Sequence, residues 1–134
     1  ISSSKFKAQN VKLQFKIQNL TEADKKILND LNEIIMSVTK DLDDFRFHNA
    51  LQKIYQFFWH RFCDLYIEKS KKQLQEKALR EETLKTLLYV LLQSIKLLHP
   101  FMPFLTEEIY QKLPIKNKQK CLMVESWPSQ KPKI

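Results

Sequence analysis

Residues 97–114 read LLHPFMPFLTEEIYQKLP: an apolar helix end, a double-proline turn, and a short amphipathic helix stopped by another proline. Pro100 has no N–H and disfavours helical geometry at His99, so the preceding helix is expected to end there. Pro103 suits the first turn of a new helix, where the missing donor is not needed. Glu107 and Glu108 then fall early in that helix, near its positive end. Physically this is a corner between two packed helices, with Phe101, Met102 and Phe104 expected to fill core space.

Upstream of the corner, residues 77–99 read as a long helix whose buried face is Leu84, Leu87, Leu88, Leu91, Leu92, Ile95 and Leu98. Glu81 and Lys85 are four apart in the favourable orientation. Residues 47–74 read as another long helix. Phe47, Ala50, Leu51, Ile54, Phe57, Phe58, Phe62, Leu65 and Tyr66 make a broad aromatic face, and Lys69, Lys71 and Lys72 make a basic end. Trp59 falls off the main stripe. Cations at a helix C-terminus are stabilising, so that cluster has a structural reading beside an RNA-binding one. Residues 21–44 read as the first helix, with Thr21 as cap and Asp24 three residues on. Its stripe is Ile27, Leu28, Leu31, Ile34, Ile35, Val38 and Leu42.

Three long amphipathic helices and a short fourth at 103–113, joined by short loops, imply an all-α antiparallel helix bundle over residues 21–114. A basic segment, 1–20, precedes it, and a second, 115–134, is expected to pack on it. Two stretches depart from the helical period. Val11, Leu13, Phe15 and Ile17 alternate with Lys12, Gln14 and Lys16, a period of two. Residues 122–127, LMVESW, are short, apolar and extended in pattern. The two could pair as a small β ribbon beside the bundle, although the first reads equally as an irregular arm or part of a helix.

Composition narrows the function. At 134 residues, 43% hydrophobic and 11% aromatic, the chain is one domain able to bury a core. Glycine is absent, which makes positive-φ turns scarce and argues against a glycine-rich phosphate loop. No apolar run is long enough to span a membrane. The first 20 residues lack the apolar block of a signal peptide. The missing initiator methionine suggests an excised domain. Two cysteines without a Cys-x-x-Cys motif point to a reduced, intracellular setting.

The formal net charge of +8 lies at the two ends. Residues 1–20 hold four lysines and no acid, and residues 112–134 hold six lysines and one acid. Residues 21–111 carry 13 basic and 14 acidic side chains. Lysine-rich terminal segments suit a polyanion such as nucleic acid, and also serve solubility.

A catalytic centre is hard to assemble. His60 and Cys63 lie about one helical turn apart, a pairing that could ligate zinc or activate a thiol, but a structural zinc site needs four ligands. His48, His99 and Cys121 lack ligand spacing. Cys63 reads as a small buried apolar residue and His60 as a polar or aromatic-packing one. Asp41, Asp43 and Asp44 read as a solvated turn at a helix end. The cluster Phe57, Phe58, Trp59, Phe62 and Tyr66 reads as core before it reads as a base-stacking platform.

The stretches YQFFWHRFCDLYIEKSKKQL (55–74), LLHPFMPFLTEEIYQKLP (97–114) and LMVESWP (122–128) together resemble the anticodon-binding domain of valyl-tRNA synthetases. ADKKILNDLN (23–32), DFRFHNAL (44–51) and LLYVLLQSIKLLHPFMPF (87–104) follow the family's order and spacing. The resemblance covers about residues 21–128. Its motifs belong to the class I synthetases for valine, isoleucine and leucine. WHRFCD (59–64) and HPFMP (99–103) favour valine, with the isoleucine enzyme the nearest alternative.

The resemblance implies a helical bundle that grips the anticodon arm of tRNA, and no catalysis within this stretch. ATP and magnesium would be cofactors of the parent valine–tRNA ligase, none being implied here. The family's nucleotide-fold active site and editing domain would lie upstream. The partner implied is valine tRNA, with no membrane, a monomeric state and a cytoplasmic or mitochondrial setting.

Ser3-Ser4-Lys5-Phe6 resembles the end of the family's preceding helix, whose aromatic lies near the anticodon loop. The sequence departs from the pattern straight afterwards. Stacking of a ring on an unpaired base is worth roughly 1–3 kcal/mol; Phe6 reads equally as an apolar anchor. The candidate tRNA contacts are Phe6, Lys5, Lys12 and Lys16 on one side, then Arg46, Lys69 and Lys72. A helical protein-interaction domain, its lysines serving solubility, is the reading from a different class.

Overall fold

A computed structural model describes residues 20–115 and 118–129 of the chain. The described residues are helical: α1 (Glu22–Asp43), α2 (Phe47–Gln56), a π-helical stretch (Phe57–Tyr66), α3 (Ile67–Leu74), α4 (Lys77–Leu98), α5 (Pro103–Lys112) and a 3-10 turn (Leu122–Val124). The α2, π and α3 segments form one continuous rod.

The capping signal at Thr21 is realised in full. The Thr21 hydroxyl accepts from the Asp24 N–H at 3.2 Å, and the Asp24 carboxylate accepts from the Thr21 N–H at 3.1 Å. Tyr66 and Gln73, late in the rod, also donate to Asp24, and Lys53, early in the rod, pairs with Asp41 at the far end of α1 at 2.7 Å. The start of α1 therefore meets the end of the rod, and the end of α1 meets its start. Leu31, Ile35 and Val38 of α1 are buried against Ala50, Ile54, Phe57, Phe62 and Tyr66 of the rod and against Tyr89, Val90 and Leu97 of α4.

The rod does not keep a uniform α period. Its buried positions run Ala50, Ile54, Phe57, Phe62, Tyr66, Ser70 and Gln73, with a five-residue step between Phe57 and Phe62. The Ile67 N–H bonds the carbonyl of Phe62, an i→i+5 link. The wider π turn absorbs the extra residue and keeps one face inward. Leu65, expected in the core from a regular α period, is therefore 56% exposed.

Helix α4 also departs from a single-stripe reading. Elements pack around it on several sides, so Leu84 is exposed while Glu82, Lys85, Thr86, Gln93, Ser94 and Lys96 are buried. The hydroxyls of Thr86 and Ser94 donate back to the carbonyls of Glu82 and Val90, at 2.9 and 2.7 Å. Lys85 lies 3.0 Å from Glu82 and 3.1 Å from Glu81.

The double-proline corner forms as expected, with Pro103 opening α5. The Thr106 hydroxyl donates to the Met102 carbonyl at 2.9 Å, so its single hydrogen is used. His99 Nδ1 lies 2.8 Å from the same hydroxyl, so the corner is tied by a side-chain hydrogen bond between His99 and Thr106. Phe101 is half-buried, but Met102 and Phe104 do not fill the core; Phe104 is 91% exposed. Thr106 and Tyr110, four apart, take the inner face of α5, and Phe104, two residues from Thr106, points the other way.

A strap closes the fold. Lys118 donates to the carbonyls of Tyr110, Gln111 and Leu113 at 2.6–3.2 Å, capping the C-terminus of α5. The Leu122 N–H donates to Glu107 at 2.7 Å, and Tyr110 donates to Glu125, which lies 3.8 Å from Lys96. The Trp127 indole donates to Thr39 of α1 at 2.9 Å. Residues 122–124 are thus a 3-10 turn and not one strand of a ribbon; the other half of that expectation, 11–17, lies outside the described residues. Among the described residues no helix is long and apolar enough to cross a membrane.

Candidate nucleic-acid interface

A groove of about 250 Å³ runs between α1 and the rod. Its rim carries Lys26 from α1, Arg61 from the π stretch and Lys69 from α3; Leu65 and Tyr66 form part of the wall. Asp30 sits between two of the cations, 3.5 Å from Lys26 and 3.6 Å from Arg61. Glu33 is the second acid on the lining. Lys69 is exposed and has no ion-pair partner among the described residues. Lys72, one turn further along α3, is also exposed.

These elements lie here for local reasons. Ile27 and Leu31 turn α1 inward, which leaves Lys26 and Asp30 on its flank. The π turn that carries Phe62 and Tyr66 inward sets Arg61 and Leu65 on the flank facing α1. Beneath the groove, Asp24 accepts from Tyr66 and Gln73, and Gln73 also donates to Thr83 at 3.0 Å. Burial and the Asp24 carboxylate push the Tyr66 phenol far above its ordinary range, so Tyr66 stays a neutral donor. The arrangement gives a hydrogen-bonded floor beneath a cationic rim, whose Lys and Arg side chains are of the kind that holds phosphate oxygens.

Of the residues singled out from the sequence, Lys5, Phe6, Lys12 and Lys16 lie outside the described residues. Lys69 lines the groove, and Lys72 lies three residues further along α3. Arg46 does not join them. At the α1–α2 corner its guanidinium lies 3.1 Å from Asp41 and 3.4 Å from Asp44. Asp41 is buried, unlike a solvated turn residue. The Lys53 ammonium, and then Arg46, hold its carboxyl below the usual range against the opposing effect of burial. Lys26 and Arg61, which line the groove, are not among those candidates: the sequence shows them only as cations bordering apolar stripes, and nothing in one sequence says that the two flanks meet.

His60 and Cys63 do not converge on a ligand. His60 is exposed and lies 3.5 Å from Asp64. Burial, and then the Asp64 charge, push the Cys63 thiol up. No group of three or more His, Cys, Asp or Glu side chains gathers as a metal site among the described residues.

The family model described as the anticodon-binding domain of tRNA ligase matches residues 24–134, which include the groove residues Lys26, Asp30, Arg61 and Lys69. The chain belongs to this anticodon-binding domain family. The domain is similar to the valine–tRNA ligase of Bacillus cereus, 46% identical over 109 residues, which are 80% of this chain and 12% of that protein. It is 45% identical over 112 residues to that of Thermotoga maritima, covering 84% and 13%. To that of Treponema denticola it is 39% identical over 123 residues, covering 86% and 14%. This anticodon-binding domain thus spans about an eighth of the length of the curated relatives it matches. The expected family resemblance holds, and the match leaves out Lys5, Phe6, Lys12 and Lys16.

Proposed function

We propose that this domain binds the anticodon arm of tRNA and serves a valine–tRNA ligase, which joins valine to its tRNA at the expense of ATP. The observation that carries the reading is the family match over the residues that build the cationic groove. The names of the relatives support valine over isoleucine or leucine. Catalysis, with its ATP and magnesium, belongs to other parts of such an enzyme. Here the chain's work is binding: Lys26, Arg61, Lys69 and Lys72 hold backbone phosphates, which fix position, while base contacts carry identity. Lys5, Phe6, Lys12 and Lys16 would extend this surface from the N-terminal side. The end-to-end contacts of α1 and the rod support an antiparallel bundle over 21–114, flanked by basic segments 1–20 and 115–134. The setting we infer is cytoplasmic, and the domain acts as a monomer.

The test is binding of the chain to a valine anticodon stem-loop across a salt series. Affinity should fall steeply and linearly on a log–log plot as counterions are displaced. NMR shifts on adding the stem-loop should cluster at the groove. No detectable binding at low salt, or equal binding to an unrelated stem-loop and to a generic polyanion, would overturn anticodon recognition.

A further inference from the structure

Asp30, on the α1 side of the groove, is an acid that the rim cations flank without satisfying. Its side chain is 14% exposed and lies 3.5 Å from the Lys26 ammonium and 3.6 Å from the Arg61 guanidinium. A charge-assisted N–H···O bond is about 2.7–2.9 Å long. Both cations therefore balance the charge of Asp30, and neither makes a close hydrogen bond to it. Among the described residues no hydrogen bond to this carboxylate is formed. An ionised carboxylate only accepts, at about four lone-pair sites, so Asp30 has acceptor capacity to spare.

The rest of the lining suits a nucleotide better than a phosphate alone. Ala23, Ile27 and Leu65 give an apolar wall beside the cations. Phosphate oxygens have no use for such a wall, whereas the face of an unpaired base does. The groove, about 250 Å³, is smaller than the roughly 300 Å³ at which drug-sized pockets begin, so it admits one base and not a stack.

The ion pair then sets a joint requirement. A phosphate that draws Lys26 and Arg61 away leaves a largely buried carboxylate without its counter-charges, which is costly unless a new donor reaches it. A polyanion without bases brings phosphate or sulfate for the cations and nothing for the acid. A nucleotide whose base carries an exocyclic amino group brings both. Adenine N6, cytosine N4 and guanine N2 are such donors, and an aspartate can accept from them.

We infer that Asp30 is a specificity-determining residue, accepting from the exocyclic amino group of one unpaired base laid against Leu65 while Lys26 and Arg61 take the adjoining phosphate. The inference rests on the reading of the chain as an anticodon-arm-binding domain and names a residue that reads a base there. Glu33, the other acid on the lining, is exposed and is paired with neither cation, so it carries no such requirement.

The experiment is a double-mutant cycle across the interface at one fixed salt concentration. The partners are the 134-residue chain and its Asp30→Ala variant, alanine being the best helix former. Each is titrated with a valine anticodon stem-loop. Each is then titrated with copies in which one unpaired A, C or G is replaced by purine riboside, 2-pyrimidinone riboside or inosine, which lack the amino group. Short single-stranded oligomers of the same nucleotides and analogues form a second arm. At one loop position the parent chain should lose about tenfold in affinity when the amino group goes, and Asp30→Ala less than twofold. Equal losses in the two proteins, or no loss in the parent with either form of RNA, overturn the inference. The same coupling at Glu33→Ala in place of Asp30→Ala overturns it in favour of Glu33. If the stem-loop fails to bind while the oligomers show the coupling, the anticodon reading falls and the role of Asp30 stands; stem-loop binding without coupling does the reverse.

Discussion

Phe57 and Phe62 share one core face although they are five residues apart. A regular α-helix would turn Phe62 aside and bring Leu65 inward; the π stretch reverses those two assignments. Phe62→Ala should therefore cost about 3–5 kcal/mol, and Leu65→Ala no more than about 0.5 kcal/mol. Urea denaturation of the two variants, read by far-UV circular dichroism, compares them directly. Equal losses would mean that the rod keeps an α register in solution.

Asp24 joins the cap of α1 to the end of the rod. Tyr66→Phe removes one donor from a fully buried carboxylate and should destabilise the fold by about 1–3 kcal/mol, more than the lost contact area implies. Asp24→Asn should lose the capping interaction as well, and the two changes should be strongly non-additive in a double-mutant cycle.

Asp41 carries a pH signature. Its native carboxyl is held below its ordinary value, chiefly by Lys53, so ionisation favours the folded state. That stability is present above about pH 4, the range of an unperturbed aspartate, and is lost as pH falls through the lower native value. In Asp41→Asn the stability–pH curve should be flatter below about pH 4 than in the parent chain. Denaturant midpoints measured from neutral pH down to about pH 2 would show the difference.

The groove and the α1–α2 corner should separate in RNA binding. Arg61→Glu and Lys69→Glu should each weaken stem-loop affinity and reduce the salt slope by about one unit per phosphate contact removed. Arg46→Gln should change either little, because that guanidinium stands at the α1–α2 corner and does not line the groove. A salt-slope loss confined to Arg46→Gln would move the interface to the corner.

The helix ends were legible because caps and prolines act locally: Thr21 with Asp24, and Pro103 at the head of α5, need no knowledge of the rest of the chain. The faces were less legible. A period of 3.6 carries the α1 stripe correctly, fails at Leu65, which one π turn moves off the face that Phe62 and Tyr66 keep, and fails on α4, where burial on several sides erases the stripe. Phe45 sits at φ 61°, in the left-handed region, in a chain with no glycine to take such a turn; nothing in its neighbours signals that. The LMVESW stretch has a strand's composition, yet Glu107 captures the Leu122 N–H and winds it into a turn. Arg61 and Lys26 needed the tertiary fold to become one rim.

The strap sets an order on synthesis. Thr39 leaves the ribosome 88 residues before Trp127, the side chain that donates to it. Every helix of the bundle is translated before Tyr110 can meet Glu125 or α1 can meet the indole. A chain cut just past Leu113 would keep α5 against α4 but leave its last carbonyls without Lys118 and the Tyr110 hydroxyl without Glu125, a state that proteases can distinguish from the finished domain.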